Sequence, residues 1–388
     1  MSDRRFNPLA WLITLAIALM PLLTACTLPQ VSAEERLFLN LSLDFLGEYT
    51  LPKQKFQGTP VGGLSAITYD RKRDRIYAIS DDRGDLAPSR FYTLKLSLDA
   101  ADPKAPKLKR IEVEGATTLT DETGQPYAKG SVDPEGIALA PLGMTVFISS
   151  EGVASKGIAP FVREFDLKTG QGKRSLSIPE HYTPIKDNPP QGVGDNLGFE
   201  ALTLNVQGGN SVAIEPFRLF TATESALMQD VDPEHPQQGA SRNRMLHYYI
   251  DSRTLLVSEH LYPMDPPPDG AMYHGLTEIL AIDQGGHFLS LERSFGINGF
   301  AVKLFQFASG GATDTSNFAS FKVLQGVQPI RKQLLRDLSE LNIAIDNLEG
   351  MTLGPQLPDG SQSLLLVSDD NFNQQQITQF LLFRLRGK

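Results

Sequence analysis

Asp133-Pro-Glu-Gly-Ile137, followed after a short turn by Thr145-Val-Phe-Ile-Ser-Ser-Glu151, contains the unit on which the reading of this chain turns. It is a short strand opening on an acidic residue, a turn, and a hydrophobic strand ending in Ser/Thr-x-Asp/Glu. Four more pairs follow the pattern: Gly63-Leu-Ser-Ala-Ile67 with Ile79-Ser-Asp-Asp82, Phe199-Glu-Ala-Leu202 with Thr221-Ala-Thr-Glu224, Thr277-Glu-Ile279 with Leu289-Ser-Leu-Glu292, and Leu348-Glu-Gly-Met351 with Val367-Ser-Asp-Asp370. The leading positions are Ser65, Glu135, Glu200, Glu278 and Glu349, spaced by 70, 65, 78 and 71 residues. Self-similarity at such a period is the signature of a repeat architecture.

Each unit continues into a third strand: Arg90–Leu94, Val162–Phe165, Arg244–His247, Val302–Phe305 and Thr378–Leu381. A more variable fourth segment follows in the first four, such as Leu255–Tyr262 or Phe321–Val327. Short apolar or alternating strands between Gly/Pro/Asp-rich turns read as antiparallel blades, and radial repetition of blades makes a β-propeller. The expected fold is all-β, with five four-stranded blades and room left open for a sixth. The fifth unit ends after its third strand, so Leu37–Tyr49 is expected to supply the missing outer strand and close the ring. Ile330–Leu341 places Ile330, Leu334, Leu338 and Leu341 on one helical face, which predicts a short amphipathic helix packed over a blade.

Composition agrees with a globular chain: 388 residues, 41% hydrophobic and 21% charged. Thirty-six basic against 45 acidic residues give a net charge of −9, which argues against nucleic acid as a partner. The N-terminus reads as an address. Arg4-Arg5, an apolar run from Pro8 to Leu23 and then Leu23-Thr-Ala-Cys26 describe a secretory signal, too short and broken by Pro21 for a span. The last four residues resemble the bacterial lipobox. The alternative is an ordinary signal with a chance cysteine, but Cys26 is the only Cys in the chain. The expected organisation is therefore a lipoprotein signal peptide at 1–25, a tether at 26–36 after lipidated Cys26, and a propeller at 37–388. Cleavage would remove Asp3, Arg4 and Arg5, taking the charge to −10, and also the sole Trp, Trp11. The protein would then be exported and held at a membrane in the cell envelope.

Asp133-Pro-Glu-Gly-Ile137, Asn196-Leu-Gly-Phe-Glu-Ala-Leu202, Leu291-Glu-Arg-Ser-Phe295, Asn347-Leu-Glu-Gly-Met351 and Leu364-Leu-Leu-Val-Ser-Asp-Asp-Asn-Phe372 together resemble the phytase-like family, described as having esterase-like activity of phytase. The resemblance runs from about Gly62 to Leu385 and implies a propeller with ester hydrolase activity. The motif Asp-Ala-x-Asp-Asp-Pro-Ala of the β-propeller phytases is absent; Val132-Asp-Pro-Glu135 is at best a fragment. The Arg-His-Gly pattern of histidine acid phosphatases is missing too.

In a propeller, residues that start the first strand and end the second gather near the central channel. Two rings of acids are expected there: Glu135, Glu200, Glu278 and Glu349, and Asp82, Glu151, Glu224, Glu292 and Asp370, with Asp81 and Asp369 added to the second. Carboxylate oxygens suit hard divalent cations, so Asp82, Glu135, Glu151, Glu200, Glu224, Glu349, Asp369 and Asp370 are the candidate metal ligands, with Ca²⁺ the candidate ion. Crowded carboxylates without a counter-charge raise one another's pKa. Arg90, Arg163, Arg244 and Lys303 at the third strands, and Arg293 beside Glu292, offer structural ion pairs as the competing explanation.

For metal-assisted ester hydrolysis, Asp81, Asp82, Glu135, Glu200 and Glu349 are the candidate catalytic acids, while Arg83, Arg163, Arg244 and Arg293 are candidate clamps for an anionic substrate. Serine-esterase chemistry has less support: no Gly-x-Ser-x-Gly elbow is present, and His181, His235, His247, His260, His274 and His287 form no zinc pattern. His247, mid-strand, reads as a packed histidine. Two functions stay open at this level, a hydrolase of phosphate or other small-molecule esters and a non-catalytic, lipid-anchored platform for an envelope ligand or protein.

Overall fold

Every blade of the computed structural model begins with the same irregularity, and it explains how the repeat works. The structure describes residues 37–186, 189–205, 216–231 and 242–387. Blade 1 comprises β4 (Leu64–Asp70), β5 (Arg75–Ser80), β6 (Arg90–Asp99) and β7 (Lys107–Thr118). Blade 2 is β8 (Pro134–Leu139), β9 (Thr145–Ser150), β10 (Phe161–Asp166) and β11 (Gly172–Ser175), and blade 3 is β12 (Phe199–Asn205), β13 (Phe217–Thr223), β14 (Arg242–Ile250) and β15 (Thr254–Pro263). Blade 4 is β16 (Ala271–Ala281), β17 (His287–Gly296), β18 (Gly299–Ala308) and β19 (Arg331–Asp337). Blade 5 joins β20 (Leu348–Gln356), β21 (Gln362–Ser368) and β22 (Thr378–Arg386) to β1 (Ser42–Leu51) from the other end of the chain.

The strands within each blade pair antiparallel, and the ring is a five-bladed propeller. The additional strands β2 (Gln54–Phe56) and β3 (Thr59–Val61) form a two-stranded hairpin, so the described residues contain no sixth blade. The expected closure is present: β1 pairs with β22 from Ser42↔Arg386 to Leu51↔Thr378.

The irregularity is a bulge in each first strand, at its inner end between Leu64 and Ala66, Pro134 and Ile137, Phe199 and Ala201, and Leu348 and Gly350, and inside the longer β16 between Leu276 and Glu278. A bulge leaves one residue out of the ladder and re-aims its side chain. The released residues are Ser65, Glu135 with Gly136, Glu200, Thr277 and Glu349.

Farther out, alternate residues feed opposite faces of a blade. Leu364 and Leu366 pack toward blade 4, whereas Leu365 and Val367 pack toward blade 1. Both faces are buried, so the strand reads as an unbroken apolar run. Five apolar clusters, one at each seam between neighbouring blades, make up the core.

The amphipathic helix expected at Ile330–Leu341 is instead strand β19 followed by one 3₁₀ turn, Leu338–Leu341. β19 is the outermost strand of blade 4, which also replaces Phe321–Val327 in that role. A register shift beside Leu335 breaks the two-residue alternation and leaves a spacing that mimics a helix. Residues 1–36, with the signal, tether and Cys26, lie outside the described residues. None of the described helices is long and apolar enough to cross a membrane.

Because each seam is a separate close-packed layer, Leu365→Ala should cost about 2–5 kcal/mol. Leu365 is fully buried in the cluster joining blades 5 and 1. Urea unfolding checks this, and a loss below roughly 1 kcal/mol would contradict the seam's role.

Candidate active site

The bulges define one inner ring and the residue after each second strand defines another. The latter is marked by a backbone bond to the residue preceding the first strand: Asp81 N–H to Gly63 O, Glu151 to Asp133, Glu224 to Gly198 and Asp369 to Asn347. In blade 4 the ladder itself pairs Gly275 with Arg293. The second ring is therefore Asp81, Glu151, Glu224, Arg293 and Asp369. The first is Ser65, Glu135, Glu200, Thr277 and Glu349.

Four expected ring members stand one residue off these positions. Asp82 is turned into the β5–β6 loop, where it accepts N–H groups of Gly84, Asp85, Leu86 and Ala87 and pairs with buried Arg90 at 2.8 Å. Burial opposes its charge, but Arg90 and the backbone donors outweigh burial and hold its pKa below the usual carboxylate value. Asp370 accepts the N–H groups of Gly63 and Phe372. Glu292 pairs with Lys332 and accepts from the Tyr262 hydroxyl. Glu278 accepts the backbone N–H of Leu202 in blade 3 and of Ile279.

In the two blades without a bulge glutamate, a hydroxyl bonds the next blade's backbone instead: Ser65 Oγ to Glu135 O and Thr277 Oγ1 to Leu348 O. At Gly63, which has φ +63°, a Cβ would overlap Asp81 and the Phe372 ring, so this position must stay bare for blades 5 and 1 to meet at the channel.

A cavity of about 650 Å³ opens over the rings. Asp81, Glu135, Glu200, Glu224, Asp346, Glu349, Asp369 and Arg293 line it, with Ile345, Gly299, the aromatics Tyr273, Phe295 and Phe300, and the amides Asn196, Asn347, Asn371, Asn373, Gln375 and Gln376. No serine, cysteine or histidine is among the described residues lining it. His247 is buried and stacked on Phe220, and burial, aided by Arg218 and His260, lowers its pKa to about 4.

Arg293 is the guanidinium of the ring. Its Nη1 donates to Glu349 Oε1 and Asn347 Oδ1, both at 2.5 Å, and its Nη2 to Glu224 Oε1 at 2.8 Å. Arg83 sits at the rim, paired with Asp133 and bonded to Asn196. The other two expected clamps are placed elsewhere. Arg244 is fully buried between Asp230, Glu259 and the Phe321 ring, and Arg163 stacks on Phe161 and bonds the Tyr127 hydroxyl.

Beside Arg83, one oxygen from each of Asp133, Glu135 and Glu151 falls within 4.8 Å of the others. All three residues are buried, and Glu151 is only 1% exposed. Glu151 Oε1 accepts the Gly198 N–H at 2.8 Å, but its buried Oε2 has no hydrogen-bond partner among the described residues; neither has Asp81 Oδ1. Asp133 was not recognised as a site residue from sequence, because its counterparts in other blades are Gly63, Gly198, Gly275 and Asn347 and no repeat marks it.

Burial is the main cause that pushes these carboxyls up, and like charge is the second. Glu135 is raised well above the ordinary value by burial and by Glu200, Asp133 and Asp81; Glu151 by burial, Asp133 and Glu224; Asp369 by burial, Asp81 and Glu349. Asp81 and Glu200 behave alike. For Glu349, burial outweighs the neighbouring Arg293 and brings the pKa to about 7.

The fold and this channel together define a five-bladed propeller with an acidic site at its centre. The phytase-like family profile, described as esterase-like activity of phytase, matches residues 59–372, and the chain belongs to that family. No curated protein matches its sequence. Similar solved structures include the periplasmic gluconolactonase PpgL of Pseudomonas aeruginosa, at 11% identity over 85% of this chain and 89% of that one, with a TM-score of 0.36. The catalytic domain of a Coprinopsis cinerea GH62 α-L-arabinofuranosidase gives 11% identity, 89% and 97% coverage and a TM-score of 0.40. The Bombyx mori GH32 β-fructofuranosidase BmSUC1 gives 8%, 83% and 60%, and 0.42. Likenesses this remote carry no argument about activity.

A carboxyl whose pKa is raised by folding contributes stability that is complete below its unfolded value, 4.5 for glutamate, and lost as pH rises through its folded value. With a chelator present, the melting temperature should therefore fall between pH 5 and pH 8, as Glu349 and the more strongly raised acids are forced to ionise. Calorimetric scans at fixed ionic strength test this; a flat or rising melting temperature over that range would contradict the crowded ring.

Proposed function

We propose that the protein is a cation-dependent hydrolase of small-molecule esters, phosphate or carboxylic, working in the channel cavity. The observation that carries this reading is the buried Asp133–Glu135–Glu151 cluster with an unpartnered Glu151 oxygen, beside a cavity that also holds Arg293 and Glu349. Hard oxygen donors that repel one another suit a divalent cation such as Ca²⁺, and these three residues would hold it. When bound, such an ion polarises an ester oxygen and lowers the pKa of water.

The remaining work belongs to side chains of the cavity. Arg293, fixed between Glu224 and Glu349, has a buried Nε–H that meets no hydrogen-bond partner among the described residues, and its guanidinium supplies positive charge for an anionic oxygen. Glu349, with its pKa near 7, exchanges a proton at neutral pH and is the group suited to general acid–base work. Without a cation, the excess of carboxylate would repel an anionic ester.

Thermal shift with Ca²⁺ and release of p-nitrophenol from p-nitrophenyl phosphate and p-nitrophenyl acetate test the reading together. Ca²⁺ should raise the melting temperature and support turnover. Glu151→Gln should abolish the shift and lower turnover by at least the roughly 10–100-fold that loss of a residue merely supporting a metal ligand costs. A cation-dependent shift without turnover of any ester would favour the binding platform, and turnover indifferent to chelator would sink the cation's role.

Leu23-Thr-Ala-Cys26 supports placing the protein outside the cytoplasm on a lipid anchor. On that placement Cys26→Ser moves it from the membrane to the soluble fraction; unchanged fractionation would count against it.

A further inference from the structure

Blade 4 departs from the others at its inner end. In blades 1, 2, 3 and 5 the pairing of the first two strands stops at Leu64↔Ser80, Pro134↔Ser150, Phe199↔Thr223 and Leu348↔Ser368. In blade 4 it runs on past Arg293 through Ser294↔His274 and Phe295↔Tyr273 to Gly296↔Ala271, while β18 follows alongside through Phe295↔Phe300. Tyr273, Phe295 and Phe300 are thus directly opposed, one on each of three adjacent strands, and all three line the channel cavity.

Ring centroids are 6.4 Å apart between Tyr273 and Phe295, with planes inclined by 30°, and 4.7 Å apart between Phe295 and Phe300, inclined by 41°. Tyr273 is 63% exposed. His274, the next residue of β16, fixes the extension by bonding Ser294 Oγ and the Asp265 carbonyl, both at 2.8 Å. Phe295 and Phe300 are half-buried and packed on one another, while Tyr273 is left open to water beside a polar cavity, an exposure that costs solvation free energy.

We propose that this strip is a platform for a neutral, hydroxyl-rich pyranose ring, the sugar portion of the ester that the channel hydrolyses; its role in that reaction rests on the hydrolase reading above. Three rings in a row across one sheet, each inclined to the next, offer an open strip rather than a box around a cation. The negatively polarised faces of aromatic rings attract the C–H face of a sugar. The rest of the lining fits the sugar's edge. Carboxamides such as Asn371, Asn373 and Gln376 each carry both donors and acceptors, as hydroxyls do, and the carboxylates accept from hydroxyls. A polyphosphorylated ring is disfavoured, because the carboxylates of the channel greatly outnumber Arg83 and Arg293.

Saturation-transfer NMR on the whole protein tests the platform without requiring turnover. The probes are methyl β-D-glucopyranoside, methyl β-D-galactopyranoside and chitobiose, with tetramethylammonium and benzyl alcohol as competitors in chemistry, each in chelator and in Ca²⁺. Transfer to the ring C–H protons of at least one sugar is expected. Tyr273→Ala should weaken that sugar's binding by about tenfold, and Tyr273→Phe should retain it. Met272→Ala should leave binding unchanged: Met272 is 68% exposed and does not line the cavity. No transfer to any sugar, transfer undiminished in a folded Tyr273→Ala, or transfer only to tetramethylammonium or benzyl alcohol would each overturn the proposal. Sugar binding in a protein that shows neither a Ca²⁺ shift nor turnover would sink the hydrolase and leave the platform standing; the opposite pattern would do the reverse.

Discussion

Eight carboxylates, those of half-buried Asp81 and of buried Asp133, Glu135, Glu151, Glu200, Glu224, Glu349 and Asp369, crowd around the guanidiniums of Arg83 and Arg293. Removing that many like charges from water is tolerable only if protons, cations or hydrogen-bond donors compensate them. The structure supplies part of the compensation. Arg293 bridges Glu224 and Glu349, Arg83 covers Asp133, and the Gly198 N–H meets Glu151. What remains shows as raised pKa values and as oxygens without donors among the described residues. The channel is thus built to a charge that its own residues do not balance.

Such a ring holds together because the rest of the molecule is rigid around it. Each blade is a sheet buried on both faces, and each seam has its own apolar cluster. Closure by β1 against β22 joins the ends of the chain within blade 5, so that blade cannot peel away without losing a full strand pairing. The inner bulges then turn one side chain per blade out of the ladder toward the axis. The crowded, like-charged carboxyls stand at the inner ends of the strands, and the apolar seams that hold the molecule together lie farther out.

Much of this was legible in the sequence. The repeat, the third strands and the closing strand could be found because buried strands leave continuous apolar runs, as at Leu364–Val367, and because turns separate them. The exact ring positions were not, for a specific reason. The acid that ends each second-strand motif does not stand at the same distance from the last paired residue in every blade: Asp81, Glu151, Glu224 and Asp369 follow Ser80, Ser150, Thr223 and Ser368, whereas Glu292 is itself still in the ladder, so acids aligned by motif alone can stand one residue off. Asp82 for Asp81, Asp370 for Asp369, Glu292 for Arg293 and Glu278 for Thr277 are the same slip four times. In the first two cases consecutive aspartates hid it, and in the last two the neighbouring glutamates were buried for other purposes, against Lys332 and against the backbone N–H groups of Leu202 in blade 3 and Ile279 in blade 4. Asp133 escaped because a repeat reveals only what is repeated. The helix expected at Ile330–Leu341 failed through the same cause, a register shift that disguised an edge strand.

Corrected for that slip, the asymmetry of the ring falls mainly in one place. A channel with an acid at every position would have no preferred direction for a ligand. Blade 4 breaks the pattern three times: Thr277 replaces a glutamate, Arg293 replaces an acid, and the strands carrying them continue outward as an aromatic strip. Across the ring, Asp133, Glu135 and Glu151 of blade 2 concentrate the unneutralised charge. One side of the site is therefore suited to a cation and the other to an uncharged or anionic group. That polarity comes from the departures from the repeat rather than from the repeat itself, which makes blade 4 the part of the structure that gives the site its chemical direction.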